Sequence, residues 1–294
     1  MTGFSAHWLD LREGADARSR NRKLERTLAK HFDGWRPLTI VDLGCGTGAN
    51  LRAMAPLLGP EQHWTLVDRD QALLDAAAQR LTTWADGADW KHRQLALFKG
   101  AKRIDVEFRH ADLASDLDTA LGPHANLVTA SALFDLASAA FIAALARALA
   151  ARQSAFYTVL SYDGDQRWTP EHEADAAMLE AFHSHQRRDK GLGPAAGADA
   201  PDALSEAFSA EGYAVSEGDS AWRLGPDDAT LIGELAMSFA AAVTQTGLVD
   251  AATIATWGAI SRTSAIVGHA DTLALPSHHE RDARRPSPVA GTGG

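Results

Sequence analysis

The chain has 294 residues, enough to bury a large core, and its 28 Lys and Arg against 38 Asp and Glu give a formal charge of -10. That balance opposes binding along a phosphate backbone unless the basic residues gather on one face, and no such gathering is evident. The single cysteine, Cys45, excludes a disulfide framework, and Met1 to Asp10 holds no basic segment followed by an apolar run, so the expected compartment is the cytoplasm.

In residues 5–33, Leu24, Leu28 and Phe32 recur every four positions and predict an amphipathic lead-in helix. Arg18, Arg20, Arg22, Lys23 and Arg26 are interleaved with Asp16, Glu25 and Asp33, which predicts a solvated face. Thr39 to Leu43 has the β-branched, apolar character of a buried parallel strand, and Leu51, Met54 and Ala55 supply a short helical face before Pro56. Between them Gly44, Gly46 and Gly48 allow left-handed angles and close approach to a ligand, with free N–H groups at the helix start. The spacing Gly44-x-Gly46-x-x-Ala49 also fits a dinucleotide loop. Its neighbours discriminate. Asp42 stands where a carboxylate would face a cation, Asp68 ends the run Trp64-Thr-Leu-Val-Asp68 where an acid suits a ribose diol, and Asp112 follows Ile104, Val106 and Phe108, where an NAD protein has no standard use for it.

After Asp68, Asp70 caps a helix whose Leu74, Ala77, Leu81 and Trp84 keep helical spacing. Trp90 to Phe98 reads as extended, Lys99-Gly100-Ala101 as a turn and Arg103 to Arg109 as a strand, an appended hairpin. Leu127 to Ala130 is the fourth strand of the expected sheet, Leu133 to Arg147 a helix and Ala155 to Leu160 the fifth strand; strands alternating with helices imply a parallel sheet covered on both faces. Ser161 to Pro201 is too long for a simple connection and reads as an insertion, with a helix from Thr169-Pro170-Glu171 to about Arg187 and a loop through Gly191-Leu-Gly-Pro194 to Ala200. Pro201 to Glu211 reads as a helix, Tyr213 to Val215 as a strand, and Asp227 or Asp228 and then Asp250 open two more helices. Glu234, Gln245 and Asp250 interrupt the apolar stretch from Leu231 to Ile260, so no membrane span is expected. Beyond Ala274 no periodicity remains; 275–294 is expected to be a disordered tail, with His278 and His279 tail residues and no metal site anywhere.

VDLGCGTG, LVDRD, HADL and Leu127-Val-Thr-Ala-Ser-Ala-Leu-Phe-Asp135 occur in the order of four motifs of the class I S-adenosylmethionine (SAM) dependent methyltransferases, which the chain resembles over roughly 36–160. The resemblance implies a Rossmann-like, doubly wound α/β fold with a mostly parallel seven-stranded sheet: lid helices in 1–35, the methyltransferase domain in 36–274 with its insertion at about 161–201, and the tail. It also implies SAM as cofactor and S-adenosylhomocysteine as product. Gly44, Cys45, Gly46 and Gly48 would hold the methionine part, Asp68 both ribose hydroxyls, and Asp112 and the Leu113 N–H the adenine; Asp42, Asn50, Arg69 and Thr129 complete the expected contacts. An N-terminal helix closes over SAM in many relatives, which makes Trp8, Arg12 and above all Arg18 candidate lid residues.

Methyl transfer needs mainly alignment and exclusion of water, with a base only for an acceptor that must lose a proton. No Asn/Asp-Pro-Pro-aromatic sequence follows the fourth strand and Cys45 is misplaced for attack on cytosine, so a small-molecule acceptor is expected, with no nucleic acid or membrane partner. RNA or protein methylation and a non-catalytic SAM-binding subunit are the alternatives. Ser161-Tyr162-Asp163, placed at the carboxyl end of the fifth strand, and the helix after Thr169 point to an acceptor site of Tyr162, Asp163, Gln186 and Lys190, with His185 as base and Asp135 as second candidate; Lys190 would orient an acidic or polar acceptor. The oligomeric state is not set by the sequence.

Overall fold

The computed structural model describes residues 4–92 and 94–277. Two helices, α1 (Ala6–Ser19) and α2 (Arg22–His31), lead into β1 (Leu38–Leu43), and the glycine turn passes the chain to α3 (Ala49–Met54). β2 (Glu61–Asp68), α4 (Gln71–Trp84), the hairpin β3 (Gly87–Lys91) and β4 (Gln94–Lys99), β5 (Lys102–His110) and α5 (Leu117–Leu121) follow. Next come β6 (Leu127–Ser131), α6 (Ala139–Arg152) and β7 (Ala155–Thr169). The rest is α7 (Asp175–Gln186), α8 (Ala200–Ala210), β8 (Tyr213–Asp219), β9 (Trp222–Leu224), α9 (Ala229–Thr244), α10 (Ala251–Gly258) and β10 (Ser264–Pro276).

Seven strands run in the order β5-β2-β1-β6-β7-β10-β8, with β4 and β3 added beyond β5 and β9 paired to β10. The five from β5 to β7 are mutually parallel, and β10 is antiparallel to both its neighbours. Alternating side chains sort the core onto two faces. Ile40, Trp64, Leu66 and Tyr157 pack with α2, α3 and α4, whereas Val41, Val67, Val128 and Phe156 pack with α5, α6 and α8. Each buried leucine contributes about 1.5 to 3 kcal/mol. The order reverses between β1 and β6, so a crevice opens outside their carboxyl ends, where open parallel sheets bind ligands.

β7 and β10 run on past the sheet as a two-stranded arm. β6 pairs with β7 only through Val159, while the β7 and β10 pairing continues to Thr169 opposite Ser264. At the departure point Leu160 has φ +60 and donates its N–H to Asp271 Oδ1 at 2.9 Å, which turns the strand without ending it. Around the arm, Trp168 meets Phe239 and Trp257 edge-on with centroids at 5.8 and 5.4 Å, and Phe182 stacks on Phe239 at 4.5 Å. This aromatic core holds α7, α9 and α10 as a cap beside the crevice.

Several sequence expectations are corrected. The fifth strand does not end at Leu160, so Ser161, Tyr162 and Asp163 lie within β7 and not at a strand terminus, and the insertion starts later than residue 161. The helix expected from Thr169 begins at Asp175, because Thr169 is held in the arm, its carbonyl accepting from Thr263 N–H at 2.7 Å. The helix expected from Leu133 starts at Ala139 after a 3-10 turn at Phe134–Leu136. The lead-in is two helices, and the expected tail loses Leu275 and Pro276 to β10; His278 and His279 lie outside the described residues. Among the described residues no helix is long and apolar enough to cross a membrane.

Candidate active site

The crevice at the switch point is lined from β1, β2 and β6 and roofed by α1 and the loop after α7; its empty space, counted out to the open mouth, is about 1230 Å³. Gly46 has φ +52, an angle that requires glycine, and a Cβ there would stand 2.9 Å from Leu9 Cδ1, which places the end of that α1 side chain directly on the turn. Not all of the expected free donors exist. Cys45 N–H donates to Val67 O and Gly46 N–H to Asp68 Oδ2, both at 2.9 Å, so part of the loop's donor capacity holds the loop itself.

Beneath the loop lies a buried polar chain. Asn50 donates to Asp42 Oδ1 at 2.7 Å and Thr129 Oγ1 at 3.1 Å, and its Oδ1 accepts from Arg20 Nη1 at 3.0 Å. Arg20 also pairs with Glu25 at 3.0 Å, both side chains 3% exposed. Asp42 Oδ2 has no partner among the described residues, and burial, opposed by the Asn50 bond and Arg20, lifts the carboxyl to about 7. Thr129 thus supports Asn50 from behind and does not line the crevice. The basic run in the lead-in, expected to be wholly solvated, puts Arg20 into the interior, where it closes this chain.

Asp68 and Asp112 both line the crevice. Asp68 Oδ1 accepts from Asp70 N–H and Oδ2 from Gly46 N–H, each at 2.9 Å, which fixes the carboxylate and leaves each oxygen further acceptor capacity. Burial raises its pKa, and those two N–H groups oppose the rise. Asp112 Oδ1 accepts from Ala114 N–H at 3.0 Å, and the side chain of Leu113 is buried in the crevice wall. Arg69 also lines the crevice.

On the opposite side Arg12 lines the crevice and Arg18 does not. Arg18 pairs with Asp228 at 2.6 Å, at the start of α9 and away from the crevice. Arg12 lines the crevice, is held by Asp16 at 2.9 and 3.1 Å and lies 4.9 Å from the Trp222 ring centroid; Trp222 Nε1 in turn donates to Asp16 at 3.0 Å. The i, i+4 spacing of Arg12 and Asp16 was readable in the sequence, but Trp222, which fixes the pair, is distant in the chain. Asp135 follows β6 between the crevice-lining Leu133 and Leu136 and stands just behind the lining; its Oδ1 is buried without a partner among the described residues, and burial raises the carboxyl to about 6 against the backbone and Arg12.

The remaining expected acceptor residues do not converge. His185 faces Gln245 at 3.2 Å and contributes nothing to the crevice lining, because α7 turns that face toward α9. Gln186 lies behind Gly197, Asp163 is exposed and accepts from Asp165 N–H at 3.0 Å, and Tyr162 is buried against His183 Nε2 at 3.0 Å. Only Lys190 reaches the crevice.

Residues 40–152 match the family model for a methyltransferase domain. No curated protein matches the chain. Among solved structures it is similar to a cyclopropane-fatty-acyl-phospholipid synthase-like protein from Lactobacillus casei, at 15% identity over 93% of this chain and 95% of that one, with a TM-score of 0.50. It is also similar to precorrin-6y C5,15-methyltransferase from Geobacter metallireducens, at 11% identity over 87% and 89% of the two chains, with a TM-score of 0.42. At 15% identity the first likeness is one of fold alone. The matched domain spans the strands that build the crevice, so this part of the chain is a methyltransferase domain.

Proposed function

We propose that the enzyme methylates a small-molecule acceptor held inside the crevice. One observation supports this above the others: α1 is laid directly on the glycine loop, Leu9 filling the space a Gly46 Cβ would take, and with Leu192 on the crevice lining from the loop after α7 it narrows the approach to the switch point. A polymer would need that roof lifted.

The residues fit the cofactor the family uses. Asp42 Oδ2, sealed and without a partner, matches an ammonium group; Asp68 retains acceptor capacity for a diol; Leu73 and Leu113 offer apolar walls for a flat ring. When bound, SAM supplies a methyl carbon made electrophilic by its sulfonium. Arg12, immobilised by Asp16 and Trp222, orients groups at the roof, and α1 excludes water. Asp135, not His185, takes a proton from an acceptor that must lose one, since its buried Oδ1 is free to accept and its ionisation near pH 6 suits a base at neutral pH.

The test incubates purified enzyme with methyl-labelled SAM and a metabolite extract, and in parallel with total RNA and with protein. Label entering the low-molecular-mass fraction supports the proposal. Label entering only RNA or protein refutes it and favours a macromolecular acceptor.

A further inference from the structure

We infer that the acceptor carries an anionic group, carboxylate or phosphate, and that Arg69 and Lys190 grip it across the mouth of the crevice; this rests on the cofactor reading above. The inference begins with how the charges lining the crevice are used. Every carboxylate there has a partner: Asp16 holds Arg12, Asp42 takes Asn50, Asp68 takes two backbone N–H groups, Asp70 takes Ala72 N–H at 2.9 Å and Asp112 takes Ala114 N–H. Of the three cations, Arg12 is paired, while neither Arg69 nor Lys190 has a carboxylate within 4.0 Å among the described residues. Two unmatched positive charges line the crevice of a protein whose formal charge is -10.

They come from opposite walls. Arg69 leaves the carboxyl end of β2, and Lys190 rides the loop that follows α7 and is anchored beside β6, with Ser138 N–H donating to Leu192 O at 3.1 Å and Ala196 N–H to Ala137 O at 2.7 Å. Gly191 brings them together. Its φ is +108, and a Cβ there would stand 2.9 Å from Arg69 Nη1, so the guanidinium lies over the residue next to Lys190. The one nearby acid of that loop, Asp189, accepts from Gly191 N–H at 2.7 Å and does not bridge the two cations. Among the described residues Lys190 Nζ has only His185 Nδ1, at 3.5 Å, and burial, followed by Arg188, lowers its pKa. Two cations brought together with no counter-charge repel, and an anion between them relieves the repulsion and gains charge-assisted hydrogen bonds, a fork from Arg69 and a point charge from Lys190.

SAM brings a carboxylate of its own, which is the competing source of the anion. The sealed Asp42 oxygen, beside Asn50 and Arg20, suits the amino-acid group of the cofactor, whereas Arg69 directly follows Asp68 at the end of β2.

The two sources separate in one experiment. The full chain is saturated with S-adenosylhomocysteine, and its thermal unfolding is followed as inorganic phosphate, or succinate in a second arm, replaces chloride at constant ionic strength. A saturable stabilisation by either anion is expected, its apparent affinity weakened roughly tenfold or more in Arg69→Ala and in Lys190→Ala and largely kept in Lys190→Arg. S-adenosylhomocysteine affinity, read by calorimetry, is expected to stay within about twofold in Lys190→Ala. No response to either anion in the wild-type complex, or a response in the alanine variants as strong as in the wild type, overturns the inference. A parallel loss of S-adenosylhomocysteine affinity in Lys190→Ala assigns the cation to the cofactor's carboxylate and overturns it too. Failure of the wild type to bind S-adenosylhomocysteine at all refutes the cofactor reading instead.

Discussion

Asp42→Asn separates stability from cofactor binding, and the direction of each effect follows from one buried carboxyl. Burial lifts Asp42 from an ordinary value of 3.8 to about 7. The folded chain therefore holds a proton that the unfolded chain has released between about pH 4 and pH 7, so stability falls as pH rises through that interval and stays lower above it. At about 1.4 kcal/mol per decade of proton affinity, the charged carboxylate costs the ligand-free protein on the order of 4 kcal/mol at pH 8.5 and little at pH 4.5. Asparagine keeps an oxygen for Asn50 Nδ2 and carries no charge. Urea unfolding without ligand should show Asp42→Asn more stable than wild type at pH 8.5, by up to about 4 kcal/mol, with the gain shrinking toward pH 4.5. SAM affinity should fall in the same variant, because the anion facing the ammonium group is gone. An equal effect on stability at both pH values, or a loss of stability at pH 8.5, would contradict the assignment of a buried, proton-holding carboxyl.

Gly46→Val should abolish detectable cofactor binding and loosen α1, seen as new proteolytic cleavage before Arg22, since the residue has φ +52 and Leu9 occupies the space. Arg20→Ala leaves Glu25 buried without its deepest partner and should destabilise the protein by about 3 to 5 kcal/mol in urea unfolding. Trp257→Ala should cost about 3 to 5 kcal/mol by emptying the aromatic core of the cap, and it also removes the 2.7 Å hydrogen bond to Asp175. If Asp135 accepts the acceptor's proton, turnover should rise with pH through about 6 and lose that dependence in Asp135→Asn; a profile unchanged by the substitution excludes the role.

The glycine-loop half of the crevice was legible because it is local. From Thr39 to Asn50 a strand, three glycines and a helix start follow one another in the chain, and Asp68 and Asp112 each close an apolar run, so short-range patterns suffice to order them. The acceptor half was less legible, for a physical reason. Whether Ser161 to Thr169 is strand or insertion depends on pairing with Ser264 to Pro276, about a hundred residues away, and nothing in the segment itself announces that partner. His185 was assigned to the crevice on helical spacing, but the face of α7 that turns inward is set by Phe239 and Trp257 on α9 and α10. Arg20 looked like one more solvated arginine until the structure supplied Glu25 and Asn50 in the interior.

Calorimetric titration of SAM into wild-type protein and Asp68→Ala, with folding of both checked by circular dichroism, bears most directly on the cofactor site. Asp68 is fixed by Gly46 and Asp70 with acceptor capacity left over, so the wild type should bind SAM saturably at one site per chain, and the variant should bind roughly tenfold to a hundredfold more weakly. Absence of binding to the wild type, or equal affinity in a folded Asp68→Ala protein, would contradict the placement of the cofactor in this crevice.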